Sequence, residues 1–358
     1  MFDVYPEKYP ELLAAKVSEL KNLFNDWPIP AIDVLESPPL HFRMRAEFRV
    51  WHTENKINYV MFNKGDKREP IFLNSFPRAH AAISNLMEPL LSAIEQSEVL
   101  KKRLFQIDFI CNLSGEMLVT LIYHKKLTDN WLKEAKELEN QFSIKLIGRA
   151  RKQKEILSED FILETLTVNE KQFTYQQVEN SFTQPNAVIC QKMLGWAVDN
   201  TKNCGGDLLE LYCGNGNFTL ALAQNFKQVL ATEVSKTSVK SALYNITLNN
   251  LENIEIVRMS SEEITQALNK DRKFRRLTNI ELDNYKFSTI FVDPPRAGLD
   301  EQTLKLANQF ENIIYISCNP YSLVKNLAQL KEYTIDKLAL FDQFPYTDHM
   351  ECGLILKK

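Results

Sequence analysis

The stretch Asp207–Ala223, which reads DLLELYCGNGNFTLALA, decides the fold that we expect for this chain. An apolar run of strand type passes through a turn with two glycines into a second apolar run of helical type. Gly214 and Gly216 allow the backbone to turn tightly and to come close to a ligand. The turn lacks the third glycine of a dinucleotide-binding fingerprint, so it favours a nucleoside ligand without a pyrophosphate.

Similar strand patterns recur down to residue 357. The sequence predicts a helix at 235–249 and further strands at 229–233, 254–259, 288–292, 313–317, 334–341 and 352–357. Strands that alternate with helices form a parallel, doubly wound sheet, and its ligand lies beyond the carboxyl ends of the strands. We therefore predict an α/β fold with a Rossmann-like domain over residues 179–358.

The N-terminal half has a different pattern. Residues 42–51 (FRMRAEFRVW) alternate apolar and charged side chains, which predicts a half-buried strand with a charged face. Other patterns predict strands at 58–63, 104–111 and 117–123 and helices at 11–25, 78–97 and 129–141. This order of elements is typical of an α+β domain with an antiparallel sheet, which we expect over residues 1–178.

Composition argues against several classes of protein. The chain has 358 residues, of which 44% are hydrophobic and 25% charged, so a folded protein of two domains is expected. It has neither an apolar run long enough to span a membrane nor a secretory pattern at its start. The six cysteines form no Cys-x-x-Cys pair, which argues against a zinc ribbon or a disulfide framework. We expect a cytoplasmic protein with free thiols and without a metal or membrane partner.

Two acidic residues follow predicted strands at the same edge of the sheet. Glu233 lies about 20 residues after the glycine turn, where a carboxylate can accept hydrogen bonds from ribose hydroxyls. We therefore predict S-adenosylmethionine as the cofactor, although a surface carboxylate after an ordinary turn would look the same. Asp293 begins the tetrad Asp-Pro-Pro-Arg (293–296), whose prolines stiffen the chain at the strand end. Similar tetrads serve amino-group methylation, so this motif predicts methyl transfer near a base without fixing the acceptor atom.

Cys318 points to a particular acceptor atom. It comes one residue past the apolar strand 313–317 and precedes an Asn-Pro turn, at the edge where Asp293 also lies. A thiolate can add to C6 of uracil and convert C5 into a carbon nucleophile for a methylsulfonium. The alternative is a small packing cysteine.

A base must then remove the proton from the methylated C5. Glu351, within the segment FPYTDHMECG, is our candidate. His349 is a rival because histidine titrates near neutral pH. Solvated loop positions would explain both residues equally well.

Basic clusters suggest an RNA partner despite a net charge of −3. Arg43, Arg45 and Arg49 share one predicted strand face. Further basic residues cluster at 101–103, before Phe105, and at 145–154. Cations next to aromatic rings suit a phosphate backbone and an unstacked base, but a charge run can also be a solvated face.

Several segments together resemble the RNA 5-methyluridine methyltransferases, and among these the bacterial enzymes that act on tRNA. They are QVENSFTQPN (177–186), LLELYCGNGNF (208–218), FVDPPRAGLD (291–300), ISCNP (316–320) and ALFDQFPYTDHMECG (339–353). N-terminal segments such as FRMRAEFRVWH (42–52) and YHKKL (123–127) extend the resemblance over nearly the whole chain.

The resemblance implies a class I methyltransferase domain, an N-terminal RNA-binding domain and a set of site residues. Cys318 matches the nucleophile and Glu351 the proton acceptor. The S-adenosylmethionine positions are matched by Gln184, Tyr212, Asn217, Glu233 and Asp293, and the RNA contacts by Arg49 and Phe105. The implied substrate is uridine 54 in the T-arm of tRNA, with transfer-messenger RNA as a further partner.

Three alternatives stay open at this stage. Ribosomal-RNA relatives share the catalytic half, but they typically carry a four-cysteine iron–sulfur cluster, and this chain has no cysteine before Cys111. An RNA-folding chaperone would need the basic surface but not the thiol. A methyltransferase that acts on an amino group of adenine or guanine would need Asp293 but not Cys318.

Overall fold

The computed structural model describes residues 4–54, 56–63, 65 and 69–358. Within them the chain forms two compact units. The first unit contains residues 4–6, 38–165 and 177–187. The second contains residues 7–37, 166–176 and 188–358. This division is less simple than one boundary between residues 178 and 179, because residues 7–37 group with the C-terminal half.

Strands and helices are numbered in chain order. The strands are β1 (Ile32–Leu35), β2 (Arg45–His52), β3 (Ile57–Met61), β4 (Ile71–Leu73), β5 (Leu104–Cys111), β6 (Met117–Tyr123), β7 (Lys145–Ala150), β8 (Gln153–Ile156), β9 (Phe161–Val168), β10 (Lys171–Val178), β11 (Asp207–Leu211), β12 (Val229–Thr232), β13 (Ile254–Val257), β14 (Phe287–Val292), β15 (Asn312–Ser317), β16 (Thr334–Phe341) and β17 (Glu351–Lys357). The helices are α1 (Tyr9–Leu23), α2 (Ala81–Gln96), α3 (Glu98–Lys101), α4 (Asp129–Phe142), α5 (Ala187–Asp199), α6 (Asn217–Leu222), α7 (Lys236–Leu248), α8 (Ser261–Leu268), α9 (Glu301–Ala307) and α10 (Pro320–Leu327).

The sheet of the second unit has the order β1-β16-β17-β15-β14-β11-β12-β13. Its neighbouring strands run parallel, except that β17 is antiparallel to both β15 and β16. Because β11 has β12 on one side and β14 on the other, the strand order reverses at β11. Ligands of open α/β sheets bind outside the carboxyl ends of the strands at such a reversal. The α/β class predicted from the glycine turn is confirmed.

Local sequence explains how this sheet is built. Strands β11, β12 and β15 are buried at every residue, as expected for parallel strands covered by helices on both faces. Three helices that follow strands begin at side-chain caps: Ser235 caps α7, Ser260 forms a capping box with Glu263 in α8, and Asp300 caps α9. These caps keep the loops at the carboxyl edge short and fixed.

Helix α1 and strand β1 complete this second unit from far upstream in the sequence. Tyr9, Leu13 and Leu20 of α1 are buried in the same apolar core as Leu338 and Leu340 of β16. Strand β1 pairs in parallel with β16. A local pattern at 11–25 predicts a helix but contains no information about this distant pairing.

The sheet of the first unit has the order β4-β3-β2-β5-β6-β7-β8. Its pairs are antiparallel except β6 and β7, which are parallel and are linked through α4. The expectation of an antiparallel sheet is therefore corrected for this one pair, because a helical crossover brings the chain back in the same direction. Ile83 of α2 and Trp131 of α4 pack on one face of this sheet, in a core shared with Phe48 and Phe109.

Most predicted elements are present, but some bounds and short strands differ. The strands predicted at 104–111, 117–123 and 334–341 coincide with β5, β6 and β16. The strand predicted from residue 42 begins only at Arg45. Strands β7 and β8 lie in the basic segment 145–156, where the charge obscures the alternation typical of a strand.

Candidate active site

The glycine turn follows β11 and is held by Glu233, the residue after β12. One carboxylate oxygen of Glu233 accepts a hydrogen bond from the Gly214 N–H at 3.1 Å, and the other accepts one from the Ser235 N–H at 2.7 Å. A carboxylate oxygen can accept more than one hydrogen bond, so Glu233 can still bind ribose hydroxyls. Tyr212, just before the turn, has a φ of 61°, a value that is uncommon for a bulky residue and typical of strained functional sites.

The surroundings of Gly214 test whether a ligand fits beside the turn. Its φ is +57°, and a Cβ at this position would meet no atom within 4 Å. The side of the turn to which a Cβ of Gly214 would point therefore faces open space. A nucleoside could occupy this space within reach of the Glu233 carboxylate. The residues present thus fit the nucleoside part of S-adenosylmethionine.

Asn217 begins α6, directly after the turn. The Asn217 side-chain amide lies 3.4 Å from the Cys190 Sγ. The Asn217 backbone carbonyl oxygen accepts a hydrogen bond from the Tyr175 hydroxyl at 3.0 Å. Neither α5, which carries Cys190, nor β10, which carries Tyr175, was linked to the turn by sequence patterns. Both contacts fix the direction in which α6 leaves the turn.

Two acidic side chains lie near each other at the reversal of strand order. Burial, together with the nearby Asp293 carboxyl, raises the pKa of Glu210, in β11, to about 8. Burial also raises the pKa of Asp293, the residue after β14, to about 7. Among the described residues, the Glu210 Oε2 atom has no hydrogen-bond partner. A positively charged ligand such as a sulfonium would stabilise the ionised forms of these two acids, so the site suits such a ligand.

Cys318 lies in a turn that side chains hold at the end of β15. The Ser317 hydroxyl bridges the backbone N–H and C=O groups of Asn319 at 3.2 and 3.1 Å. The Asn319 amide donates a hydrogen bond to the Arg296 carbonyl at 2.9 Å, which ties this turn to the Asp-Pro-Pro-Arg segment. Cys318 is half-buried. The thiol is therefore neither sealed in the core nor fully solvated.

The sheet register brings Glu351 beside Cys318. Ser317, the last residue of β15, pairs with Cys352 of the antiparallel strand β17, so the residues next in line are Cys318 and Glu351. Burial raises the pKa of the Cys318 thiol, the carboxyls of Glu351 and Asp293 raise it further, and the Arg296 guanidinium lowers it. These four side chains therefore share one electrostatic environment.

Glu351 has the environment of a strong base. Its side chain is buried, with 5% of the residue exposed. Burial raises its pKa well above the usual range, the Asp293 carboxyl adds to this rise, and the Arg296 guanidinium opposes it. A carboxylate with a raised pKa binds an abstracted proton more tightly.

His349, the rival base, is exposed and contacts the Arg296 guanidinium at 3.2 Å from its Nδ1. The choice between Glu351 and His349 as the base therefore stays a prediction.

Arg296 and Asn326 are candidate functional residues that sequence reasoning did not identify. Arg296 could have been found, since it directly follows the two prolines at the strand end. Asn326, in α10, binds both backbone groups of Leu299 and accepts a hydrogen bond from the Tyr315 hydroxyl. No sequence signal reveals that a buried asparagine holds the backbone of Leu299 in place.

The first unit contains Gln184, which lies half-buried in the loop before α5. The other four predicted cofactor residues belong to the second unit. The roles of all five residues in cofactor binding stay predictions.

Arg49 and Phe105, the predicted RNA contacts, form a stack together with His124. The Arg49 guanidinium lies 3.9 Å from the centre of the Phe105 ring, and the His124 ring stacks on Phe105 at 4.0 Å. Two planar groups this close to one ring must cover its opposite faces. His124 is exposed, so its outer face can accept a nucleotide base.

Arg43 lies outside β2, although the alternation of buried and less buried residues that includes Arg45 and Arg49 begins before it, at Phe42. Its Nε atom donates a hydrogen bond to the Arg45 carbonyl at 2.8 Å, and burial lowers its pKa. It precedes the strand, which begins at Arg45. The alternation read from residue 42 therefore includes residues that are not part of the ladder.

Two features are absent from the residues that the structure describes. No helix among them is long and apolar enough to cross a membrane. In the same part of the chain, no group of three or more His, Cys, Asp and Glu side chains could hold a metal ion.

Comparisons with known proteins identify first a class and then a family. The fold is that of S-adenosylmethionine-dependent methyltransferases. It matches the crystal structure of Pyrococcus abyssi tRNA (uracil-54, C5)-methyltransferase in complex with S-adenosyl-L-homocysteine, with a TM-score of 0.74 over 97% of this chain and 83% of that one, at 22% identity. The sequence model of the tRNA (Uracil-5-)-methyltransferase family matches residues 8–358. The chain belongs to this family, and the resemblance inferred from its motifs is confirmed.

Curated relatives agree with this assignment. A tRNA/tmRNA (uracil-C(5))-methyltransferase of Pseudoalteromonas atlantica is 52% identical over 361 residues, covering 99% of both chains. One of Saccharophagus degradans is 55% identical over 355 residues, covering 99% of this chain and 97% of the relative.

Proposed function

We propose that this protein transfers a methyl group from S-adenosylmethionine to C5 of uridine 54 in the T-arm of tRNA. The relatives named above carry transfer-messenger RNA in their names, which supports it as a second substrate. Within the site, the observation that carries the proposal is the pairing of a half-buried thiol with a buried carboxyl. Uridine C5 methylation needs both a nucleophile and a base, whereas amino-group methylation needs no thiol.

The reaction begins with the thiolate of Cys318, which forms a bond to C6 of the uracil. The electron pair of the C5–C6 double bond moves towards the O4 carbonyl and gives an enolate, so C5 becomes nucleophilic. S-adenosylmethionine, when bound, would supply an electrophilic methyl group on a positively charged sulfur, which keeps the electron pair of the broken S–CH3 bond and becomes a neutral thioether. After C5 has gained the methyl group, it carries both this group and its original proton.

Glu351 then removes the proton from C5. The electron pair of the C5–H bond re-forms the C5–C6 double bond, and the Cys318 thiolate leaves. Glu351 ends the cycle protonated, as its raised pKa favours. Arg296 opposes the rise in the pKa of Cys318 and of Glu351, and so maintains a fraction of both in the reactive, ionised form.

The first unit is the proposed RNA-binding domain. A uridine must leave its stacked position before Cys318 can reach C6, and this costs a few kcal/mol. Contacts to neighbouring nucleotides can offset that cost. The exposed ring of His124, backed by Phe105 and Arg49, offers a stacking surface for one of the displaced bases.

The test is methyl transfer to an unmodified tRNA transcript with a methyl-labelled cofactor. After digestion to nucleosides, we expect the label in 5-methyluridine. A transcript in which cytidine replaces uridine 54 is the matched control and should stay unlabelled. Label in a methylated adenine or guanine, or label that persists in the control transcript, would overturn the proposal.

A further inference from the structure

Two turns of the first unit bring five cations together. The turn between α3 and β5 and the loop after β6 meet through a hydrogen bond from the His124 N–H to the Arg103 carbonyl at 3.0 Å. The Lys125 ammonium donates a hydrogen bond to the Val99 carbonyl just before that turn. We call this surface the basic corner; it consists of Lys101, Lys102, Arg103, Lys125 and Lys126.

The charge of the basic corner is only partly neutralised. Burial lowers the pKa of Lys125, and the neighbouring Lys102 ammonium lowers it further, although Glu134 opposes this. Lys101 pairs with Glu98 at 2.6 Å. Lys102, Arg103 and Lys126 are exposed. The like charges are thus held close together and face solvent.

The basic cluster at residues 145–154, in the same unit, differs from the basic corner because most of its cations pair with acids. Lys145 pairs with both Glu116 and Glu159 at 2.6 Å, and Arg149 donates two hydrogen bonds to the Glu179 carboxylate at 2.6 and 2.5 Å. Its other members are Lys154, which pairs with Asp160, and the exposed residues Arg151 and Lys152. Most of the charge in this cluster therefore serves the fold of the unit itself.

The basic corner adjoins the aromatic stack along the chain. Arg103 is two residues before Phe105, and Lys125 directly follows His124. The same two turns thus carry both the stacked rings and the cations. Surfaces that bind unpaired nucleic acid combine a stacking ring for the base with cations for the flanking phosphates.

We propose that the basic corner binds the phosphodiester backbone of the RNA substrate, next to the nucleotide that stacks on His124. This inference rests on the proposed function, since it assigns part of the substrate to a surface that does not take part in the chemistry. Lys102, Arg103 and Lys126 each replace counterions of the RNA. They therefore contribute to affinity and to its dependence on salt, but not to the rate of the bound complex.

The experiment compares three charge variants by the salt dependence of binding to a full-length tRNA transcript. The test variant is Lys102→Gln/Arg103→Asn/Lys126→Gln; asparagine is chosen because Arg103 has a φ of 57°, which asparagine tolerates. The matched control is Lys270→Gln/Lys305→Gln/Lys331→Gln, which removes three exposed cations of the second unit. The rescue variant, Lys102→Arg/Arg103→Lys/Lys126→Arg, keeps the charge.

Each phosphate contact contributes about 0.7 to 0.9 to the slope of log affinity against log salt. We expect the test variant to lose about 2 from this slope and to raise the KM for tRNA about tenfold or more, with kcat at saturating tRNA unchanged. The control and rescue variants should keep the slope of the unsubstituted protein. Equal thermal melting of all variants excludes misfolding as the cause.

Two failures can be told apart. If the unsubstituted protein forms no 5-methyluridine, the proposed function fails. If it does, but the test variant keeps its slope or changes no more than the control, the basic corner does not bind RNA and this inference alone is overturned.

Discussion

Functional side chains have opposite environments at the carboxyl edge of the sheet in the second unit and at the stacked surface of the first unit. The stacked surface consists of Arg49, Phe105 and His124. At the carboxyl edge, burial raises the pKa of Glu351, Asp293 and Cys318, and side-chain hydrogen bonds fix the turns. The stacked surface instead carries exposed groups such as His124. Reactive groups need a fixed, poorly solvated position, whereas contacts to a charged polymer need accessibility. Substitutions at the edge should therefore change kcat, and those at the stacked surface should change KM.

The largest effect is expected for Cys318→Ala. Without the thiolate, C5 does not become nucleophilic, so labelled methyl transfer should fall at least about 1000-fold. Affinity for tRNA, measured by filter binding, should change less than about threefold. A variant that methylates at a normal rate would contradict the covalent route. A variant that no longer binds RNA would contradict the expectation that substitutions at the carboxyl edge change kcat and not RNA binding.

Glu351→Gln should reduce kcat by about 100- to 10,000-fold, because glutamine cannot accept the C5 proton. The thiolate then cannot leave, so a covalent protein–RNA adduct should accumulate as a slow band on a denaturing gel. His349→Gln is the control and should give no such band. An adduct that accumulates in the histidine variant instead would assign the base to His349.

For His124→Ala we expect a loss of about 1 to 3 kcal/mol in RNA binding, the usual value of one base–aromatic stack. This should appear as a rise of KM for tRNA with kcat maintained. His124→Phe keeps a planar ring and should bind nearly as well as the unsubstituted protein. If both variants behave alike, no base stacks on this ring.

The smallest expected effect is a shift in pH dependence. The ionised forms of Cys318 and Glu351 are the reactive ones, and burial raises both pKa values, so kcat/KM should increase as the pH rises through the neutral range. The Arg296 guanidinium lowers both pKa values. The rise in the Arg296→Gln profile should therefore lie at higher pH. An unchanged profile would show that Arg296 does not affect the ionisation of Cys318 or Glu351.

The two regions also differ in how far sequence alone could predict them. The strand ends that carry Tyr212, Asp293 and Cys318 follow from strong local signals, namely a glycine turn, two prolines and an apolar run. The stack of His124 on Phe105 depends on the pairing of β5 with β6, whose cross-strand contacts a single sequence does not reveal.

The acidic partners of basic residues also could not be predicted from the sequence. The basic segment 145–154 contains no acid, yet Glu116 and Glu179 neutralise part of it from other elements. Likewise, β1 joins the sheet of the second unit through a partner about 300 residues away in sequence. Local patterns predict elements and the positions of charged residues. They do not predict which distant element neutralises those charges or pairs with a given strand.

The most direct test of the covalent route uses tRNA that contains 5-fluorouridine at position 54, together with the methyl donor. Fluorine at C5 cannot leave as a proton, so elimination of the thiolate is blocked after methyl transfer. We predict a complex that survives denaturation, with the methylated nucleotide attached to the peptide that contains Cys318. No stable complex, or attachment to another residue, would contradict the account.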